Sequence, residues 1–335
     1  MREVWSGLDV SKNWFDASWV HPEPHVSDFA SIPHRRFTRD PEGVESFLAW
    51  LDEQGDSPVR VVMEVTGRYS LELCSWLIDK RPELKPAMVN PRVARNHQRG
   101  LGLRNKTDKV DARSLGLMGK ERRPHPYQEL PKQYQSIREL MRRRRKLVEM
   151  KVAENQRLQE AGEACPALRR NLKSHLNHID KLIQRLDKQL DKIVASCPTL
   201  TADFRFLLTL PGVGRITALM VLGELGDLRR FNRSRQVSAF SGLSPRRHES
   251  GTSVDFAHID RSGNADLRAV LYMAAMTAVT RGQNHALARR YRSLIAQGKK
   301  EKQALVAIAR KMLVIMRALV IHQQPYQDPL LQAGS

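Results

Sequence analysis

The sequence predicts a mixed α/β domain at the front of the chain, followed by helices to its end. Three observations predict it. Short apolar runs alternate with helix-period segments through residue 125. Residues 132–196 hold almost no Gly and repeat Leu and Ile at coiled-coil spacing. Beyond residue 201 the chain is again helix-forming, opening on a Pro-Gly turn. A length of 335 residues suits two or three domains. The expected boundaries are 1–125, 126–200 and 201–335.

Each element has its own justification. Residues 4–10, 14–20 and 35–38 read as three successive strands joined by short polar links. Pro41 then opens an amphipathic helix that runs through Leu48 and Leu51. A buried strand follows at residues 59–64, then a helix near 70–80 and a short strand at 85–90. This β-β-β-α-β-α-β order matches a ribonuclease H-like fold, a mixed sheet with helices on its faces.

In the middle segment, Leu172, Ile179, Leu186 and Ile193 recur every seven residues, and Leu176, Ile183 and Leu190 fill the second apolar position. An earlier, looser series comprises Ile137, Leu140, Leu147 and Leu158, and Gly162 to Pro166 breaks the helix between the two. A helical hairpin is expected. Its seam serves either dimerisation or an intramolecular helix pair, and spacing does not choose between them.

Apolar content of 41 % supports folded cores and excludes a disordered chain. Lys and Arg total 56 against 36 Asp and Glu, a formal charge of +20. Part of the excess lies between Pro91 and His125, and a second basic block is Arg142-Arg143-Arg144-Arg145-Lys146. Such charge attracts phosphate backbones without reading sequence; a solvated helix face is the plainer alternative. The cysteines Cys74, Cys165 and Cys197 are odd in number and lack metal-type spacing, which points to a reducing compartment without disulfides or zinc. With no signal-like apolar core and no run of about twenty apolar residues, a cytoplasmic protein without a membrane partner is expected.

Against this basic background, four acids stand out. Asp9 ends one apolar run and Glu64 ends another. Asp108 and Asp111 are three apart on a predicted helix and so share a side. Phosphoryl transfer with two Mg²⁺ ions needs several hard oxygen ligands around cations about 4 Å apart, and a ribonuclease H-like sheet can supply them in this order. The helical pair has a second reading, since Thr107-Asp108 also forms an N-cap with acids that suit the helix dipole. Arg104, Lys106, Lys109 and Arg113 are candidate contacts to a nucleic-acid strand, or merely solvated charge.

Two motifs follow in the last segment. Leu210-Pro211-Gly212-Val213-Gly214 before an Ala/Leu-rich stretch resembles a helix-hairpin-helix, in which Gly212 and Gly214 let backbone N–H groups approach a phosphate; a Pro/Gly turn between packed helices is the alternative. The loop Gly242-Leu243-Ser244-Pro245-Arg246-Arg247-His248-Glu249-Ser250-Gly251 sets Ser250 beside two arginines able to hold a phosphate bidentately. Spacing alone leaves Ser250 as nucleophile or turn residue. His258, Asp260, Arg261 and Tyr291 superficially resemble a tyrosine recombinase set, but that chemistry needs no acidic quartet. His175 and His178, without acidic or cysteine neighbours in sequence, read as surface residues.

Taken together, these segments resemble the DEDD-type insertion-sequence transposases, understood as bridge-RNA-guided recombinases. The matching pieces are Gly7-Leu8-Asp9-Val10-Ser11-Lys12, Glu64-Val65-Thr66-Gly67-Arg68-Tyr69, and the stretch from Gly102 to Arg113 that holds Asp108 and Asp111. The Leu210–Gly214 motif, the serine loop and Leu267-Arg268-Ala269-Val270-Leu271-Tyr272 match in the last segment. The resemblance implies a RuvC-like domain whose Asp9, Glu64, Asp108 and Asp111 bind Mg²⁺, and a transposase domain whose Ser250 forms a covalent link to DNA. It also implies a site composed from two protomers, a homodimer to homotetramer, and DNA and a guide RNA as partners. The alternatives are a Holliday-junction resolvase-like nuclease using water, or a non-catalytic nucleic-acid-binding protein.

Overall fold

In a computed structural model of the chain, residues 3–21, 29–55, 57–103, 107–162, 165–246, 258–259, 263–281 and 285–329 are described. The chain divides into two compact units, Met1–Glu129 and Leu130–Ser335.

The first unit is built on a five-stranded sheet. Its strands are β1 (Val4–Val10), β2 (Trp14–Ser18), β3 (His34–Thr38), β4 (Val59–Glu64) and β5 (Ala87–Val89). They lie in the order β3-β2-β1-β4-β5. The β1–β2 and β2–β3 pairs are antiparallel, and β1–β4 and β4–β5 are parallel. This mixed sheet is consistent with the expected ribonuclease H-like domain. Strand β1 is central and almost wholly buried, as a strand covered on both faces must be.

Helices α1 (Pro41–Glu53) and α2 (Arg68–Lys80) belong to one side of the unit. The Asp40 carboxylate accepts from Gly43 N at 2.7 Å and Pro41 supplies the first helical position, so α1 starts where the sequence places it. Phe47, Leu48, Leu51, Leu73 and Leu77 join Leu8, Val10 and Phe15 in the core on that side. Helix α3 (Pro91–Gly100) follows β5, and α4 (Asp108–Arg122) covers the opposite face.

A row of small residues seats α4. Ala112, Gly116 and Gly119 fall at successive turns of one helix face, and they meet β1 at Gly7 and Trp5. A Cβ on Gly7 would overlap Gly116 N and the Ala112 carbonyl. Asp108, one turn before Ala112, is thereby carried to the carboxyl end of β1.

Among its described residues the second unit is helical apart from one short β-ribbon. Its long helices α5 (Lys132–Glu160) and α6 (Pro166–Ala195) break where Gly162–Pro166 predicts. They run antiparallel, tied by Arg144–Asp187 at 2.9 Å and Lys151–Asp180 at 2.5 Å. Leu172, Leu176, Ile179 and Leu190 of the heptad series are buried within the one chain. His175 is more than a surface residue: its Nδ1 pairs at 2.9 Å with Glu154, a buried acid that also accepts from Arg157 at 2.7 Å. That partner lies twenty-one residues away, on the other helix, where sequence spacing cannot show it.

Next come α7 (Pro198–Leu208), α8 (Arg215–Leu225) and α9 (Ser234–Phe240). The ribbon pairs β6 (Pro245–Arg246) with β7 (His258–Ile259). Helices α10 (Ala265–Arg281), α11 (Ala286–Ala296) and α12 (Glu301–His322) complete the unit. Helix α8 is buried from Thr217 to Leu225 and therefore apolar all round rather than on one stripe. Among the described residues no helix is long and apolar enough to cross a membrane.

Candidate active site

Asp9 and Glu64 reach one site because of register. Leu8 pairs with Met63 on the parallel strands, so the next residues, Asp9 and Glu64, stand side by side at the strand ends. Asp108 and Asp111 come from the first turn of α4, where Thr107 Oγ1 accepts from Val110 N at 3.3 Å. The helix therefore starts on a true N-cap and also presents both acids; the two readings of this stretch are compatible. All four carboxylates line one cavity of about 540 Å³, together with Thr66, Gln98 and Arg99.

Gathering like charges has a visible electrostatic effect. Burial pushes the Asp9 carboxyl up to about 7, and the charges of Asp111, Asp108, Asp16 and Glu64 add to the shift. Burial and like charge both favour the protonated form of Asp9. A divalent ion is the natural replacement, and four carboxylates are the hard oxygen donors that Mg²⁺ takes. The donor set fits such an ion, although the arrangement is open. Among the described residues no three His, Cys, Asp or Glu side chains stand close enough to chelate a metal. Asp108 Oδ2 accepts from Arg36 Nη2 at 2.8 Å, and Asp111 Oδ1 accepts from Gln98 Nε2 at 2.6 Å.

Four supporting residues are missed by sequence reasoning. Asp16 lies opposite Asp9 on β2 and Arg36 lies opposite Asp16 on β3. Asp16 is 1 % exposed and pairs with His34 Nε2 at 2.6 Å and Arg36 Nε at 3.0 Å. Gln98 sits on α3. The available signal was Asp16 itself, a lone acid inside the strand Trp14-Phe15-Asp16-Ala17-Ser18. Cross-strand pairing supplies the rest, and that depends on register.

The basic candidates separate. Lys109 is exposed beside the acids, whereas Arg113 is buried at 7 % exposure, packed inside the domain rather than presented to a strand. Arg104 and Lys106 lie outside the described residues, as do Arg247 and Ser250. Arg246 is placed by its backbone in β6, at the start of the serine loop.

Gly212 and Gly214 occupy the turn between α7 and α8. Gly212 has φ +83° and approaches the Ala274 carbonyl of α10 so closely that a Cβ would overlap it, so packing alone requires a glycine there. Gly214 is the exposed N-cap of α8 and gives it no side-chain cap, which leaves the first N–H groups of the helix open to an acceptor. Arg215, next in the chain, is already committed to Asp187 at 2.8 Å and Asp191 at 2.9 Å.

Residues 6–161 match the model of a DEDD-type, IS110 transposase domain described as a transposase. Residues 204–292 match the transposase model of the IS116/IS110/IS902 family. A pilin gene-inverting protein of Moraxella bovis is 28 % identical over 329 residues, covering 97 % of this chain and 98 % of that protein. The pilin gene-inverting protein of Moraxella lacunata is equally similar. The transposase for insertion sequence element IS1111A of Coxiella burnetii is 33 % identical over 172 residues, 50 % of this chain and 46 % of the relative. The chain thus matches two transposase family models in succession, the DEDD model first and the IS116/IS110/IS902-family model second.

Proposed function

We propose that the protein is a site-specific DNA recombinase that excises and inserts its own mobile element, cutting and rejoining strands with Mg²⁺ and Ser250. The observation that carries this reading is the convergence of Asp9, Glu64, Asp108 and Asp111 on one cavity at the ends of β1, β4 and α4. When bound there, Mg²⁺ would polarise the phosphate and favour the ionised nucleophile.

The chain's own part is positional. The four carboxylates hold the cation and its charge where a phosphodiester must lie. Lys109 offers a phosphate contact from the same helix turn, and Arg104 and Lys106 belong to the same basic approach. Ser250 Oγ attacks phosphorus, a serine–phosphate ester forms as the bond to a deoxyribose oxygen breaks, and that displaced oxygen takes up the proton. Attack by a second strand's hydroxyl reverses the exchange and returns the serine. The ester keeps the phosphodiester energy, so rejoining needs no ATP. Arg246 and Arg247, shortly before the serine in sequence, act as phosphate clamps. The open N-terminus of α8 at Gly214 binds backbone phosphate, with Gly212 shaping the turn.

The full-length similarity to pilin gene-inverting proteins favours a recombinase over a nuclease that releases free ends. A homodimer that pairs into a tetramer would bring the acids of one protomer to the serine of another. An element-encoded RNA would select the DNA, since phosphate contacts carry no base code. The test is strand cleavage of element-junction DNA by wild type and Asp9→Ala in Mg²⁺. Cleavage is expected to vanish in the variant while DNA binding persists, and unchanged cleavage would overturn the metal assignment.

A further inference from the structure

Asp108 is paired with a cation from the neighbouring strand. Arg36 Nη2 donates to Asp108 Oδ2 at 2.8 Å and approaches Asp16 Oδ2 at 2.9 Å. Its Nε also donates to Asp16, at 3.0 Å. One guanidinium thus bridges a buried acid and a proposed metal ligand. Asp16 is fixed in turn by His34 at 2.6 Å, and the Arg36 guanidinium lies over the Trp14 ring, 5.1 Å from its centroid. Arg36 is anchored from two sides, so it holds Asp108 rather than following it.

The sheet register makes the arrangement systematic. Arg36, Asp16, Asp9 and Glu64 form a transverse row across β3, β2, β1 and β4. Three adjacent acids in one row favour a cation beside them, and Arg36 stands at the end of the row. Asp111 is held by a neutral donor, the Gln98 amide, but Asp108 is held by a full positive charge.

Resting on the metal role proposed for the quartet, we infer that Arg36 is a counter-cation for Asp108, holding it until a divalent ion binds and yielding it then. Metal entry is then an exchange: Asp108 leaves a guanidinium for the ion, while Arg36 keeps Asp16. A fixed positive charge at this distance also opposes the incoming ion directly. Removing it frees Asp108 and relieves that opposition together.

The test is calorimetric titration of Mn²⁺ into the full chain, comparing wild type, Arg36→Gln, Arg36→Lys and Asp9→Asn, with circular dichroism to verify folding. Asp9→Asn is expected to lose the binding seen in wild type. Arg36→Gln is expected to bind Mn²⁺ about tenfold tighter. Arg36→Lys, which keeps the charge but cannot fork two carboxylates, is expected to fall between the two. It serves as the deciding variant if Arg36→Gln does not fold. Wild-type binding with equal or weaker affinity in the folded Arg36 variants would overturn this role and leave the quartet's intact. No Mn²⁺ binding by wild type would overturn both.

Discussion

Gly7 on β1 and Gly116 on α4 meet backbone to backbone, with no room for a side chain on Gly7. This contact decides how close the helix sits to the central strand, and hence where Asp108 and Asp111 stand relative to Asp9. Gly7→Ala is expected to force α4 outward. Overpacking of this kind costs about 1–3 kcal/mol, and more where backbone rather than side chain must move. Urea unfolding measures the loss, and Mn²⁺ affinity is expected to fall with it. A fully stable Gly7→Ala protein with unchanged affinity would contradict the close seat.

Asp9 links the site to stability through pH. Its carboxyl lies at about 7 in the folded protein against an ordinary 3.8, chiefly because it is buried and secondly because of its acidic neighbours. A raised folded value favours the protonated form. The stability associated with that proton is therefore fully present below about 3.8 and is lost as pH rises through about 7. Asp9→Asn removes the dependence. Without divalent ions at pH 8, the variant is expected to melt higher than wild type by several degrees, on the order of 1–2 kcal/mol. Adding Mg²⁺ is expected to raise the wild-type melting temperature and leave the variant unmoved. Calorimetric scans between pH 5 and 8 check both.

Gln98 has the opposite relation to metal from Arg36. It orients Asp111 through one neutral hydrogen bond of 2.6 Å and adds no charge. Losing it removes orientation alone, and loss of such an outer support typically costs about 10-fold in metal affinity. Gln98→Ala is expected to weaken Mn²⁺ binding by that order in the same titration, with folding intact. Tighter binding would show that the amide is no support.

Ile179, 1 % exposed on α6, reports on the helical hairpin. Its burial comes from packing inside one chain. Ile179→Ala is expected to destabilise the second unit by about 2–4 kcal/mol through the cavity it leaves. Light scattering beside chemical unfolding separates this from an effect on assembly. A protein that keeps its stability but changes its mass would assign the residue to a contact between chains.

Much of this organisation is legible in the residues themselves. The strands Val4–Val10 and Val59–Glu64 appear where their apolar runs predict, because central strands are buried on both faces and carry few interruptions. Helix α1 begins at Pro41, and the break at Gly162–Pro166 separates α5 from α6, because Pro and Gly constrain the backbone locally. The acids of the cavity were legible because each closes a strand or opens a helix. Asp16, His34, Arg36 and Gln98 were not, since their relation to the site is cross-strand or helix-to-helix. Arg113 illustrates the converse. Local charge suggests a surface contact, yet on α4 Arg113 is buried, as are Ala112, Ser114 and Leu115 along the same helix.

The most direct test of the account is a denaturing gel of the protein incubated with Mg²⁺ and labelled element-junction DNA, wild type beside Ser250→Ala. A slowly migrating, protease-sensitive DNA adduct in wild type and none in the variant is the expected result. Free cleaved ends in both proteins, without an adduct, would contradict it and make the acidic site that of a water-using nuclease.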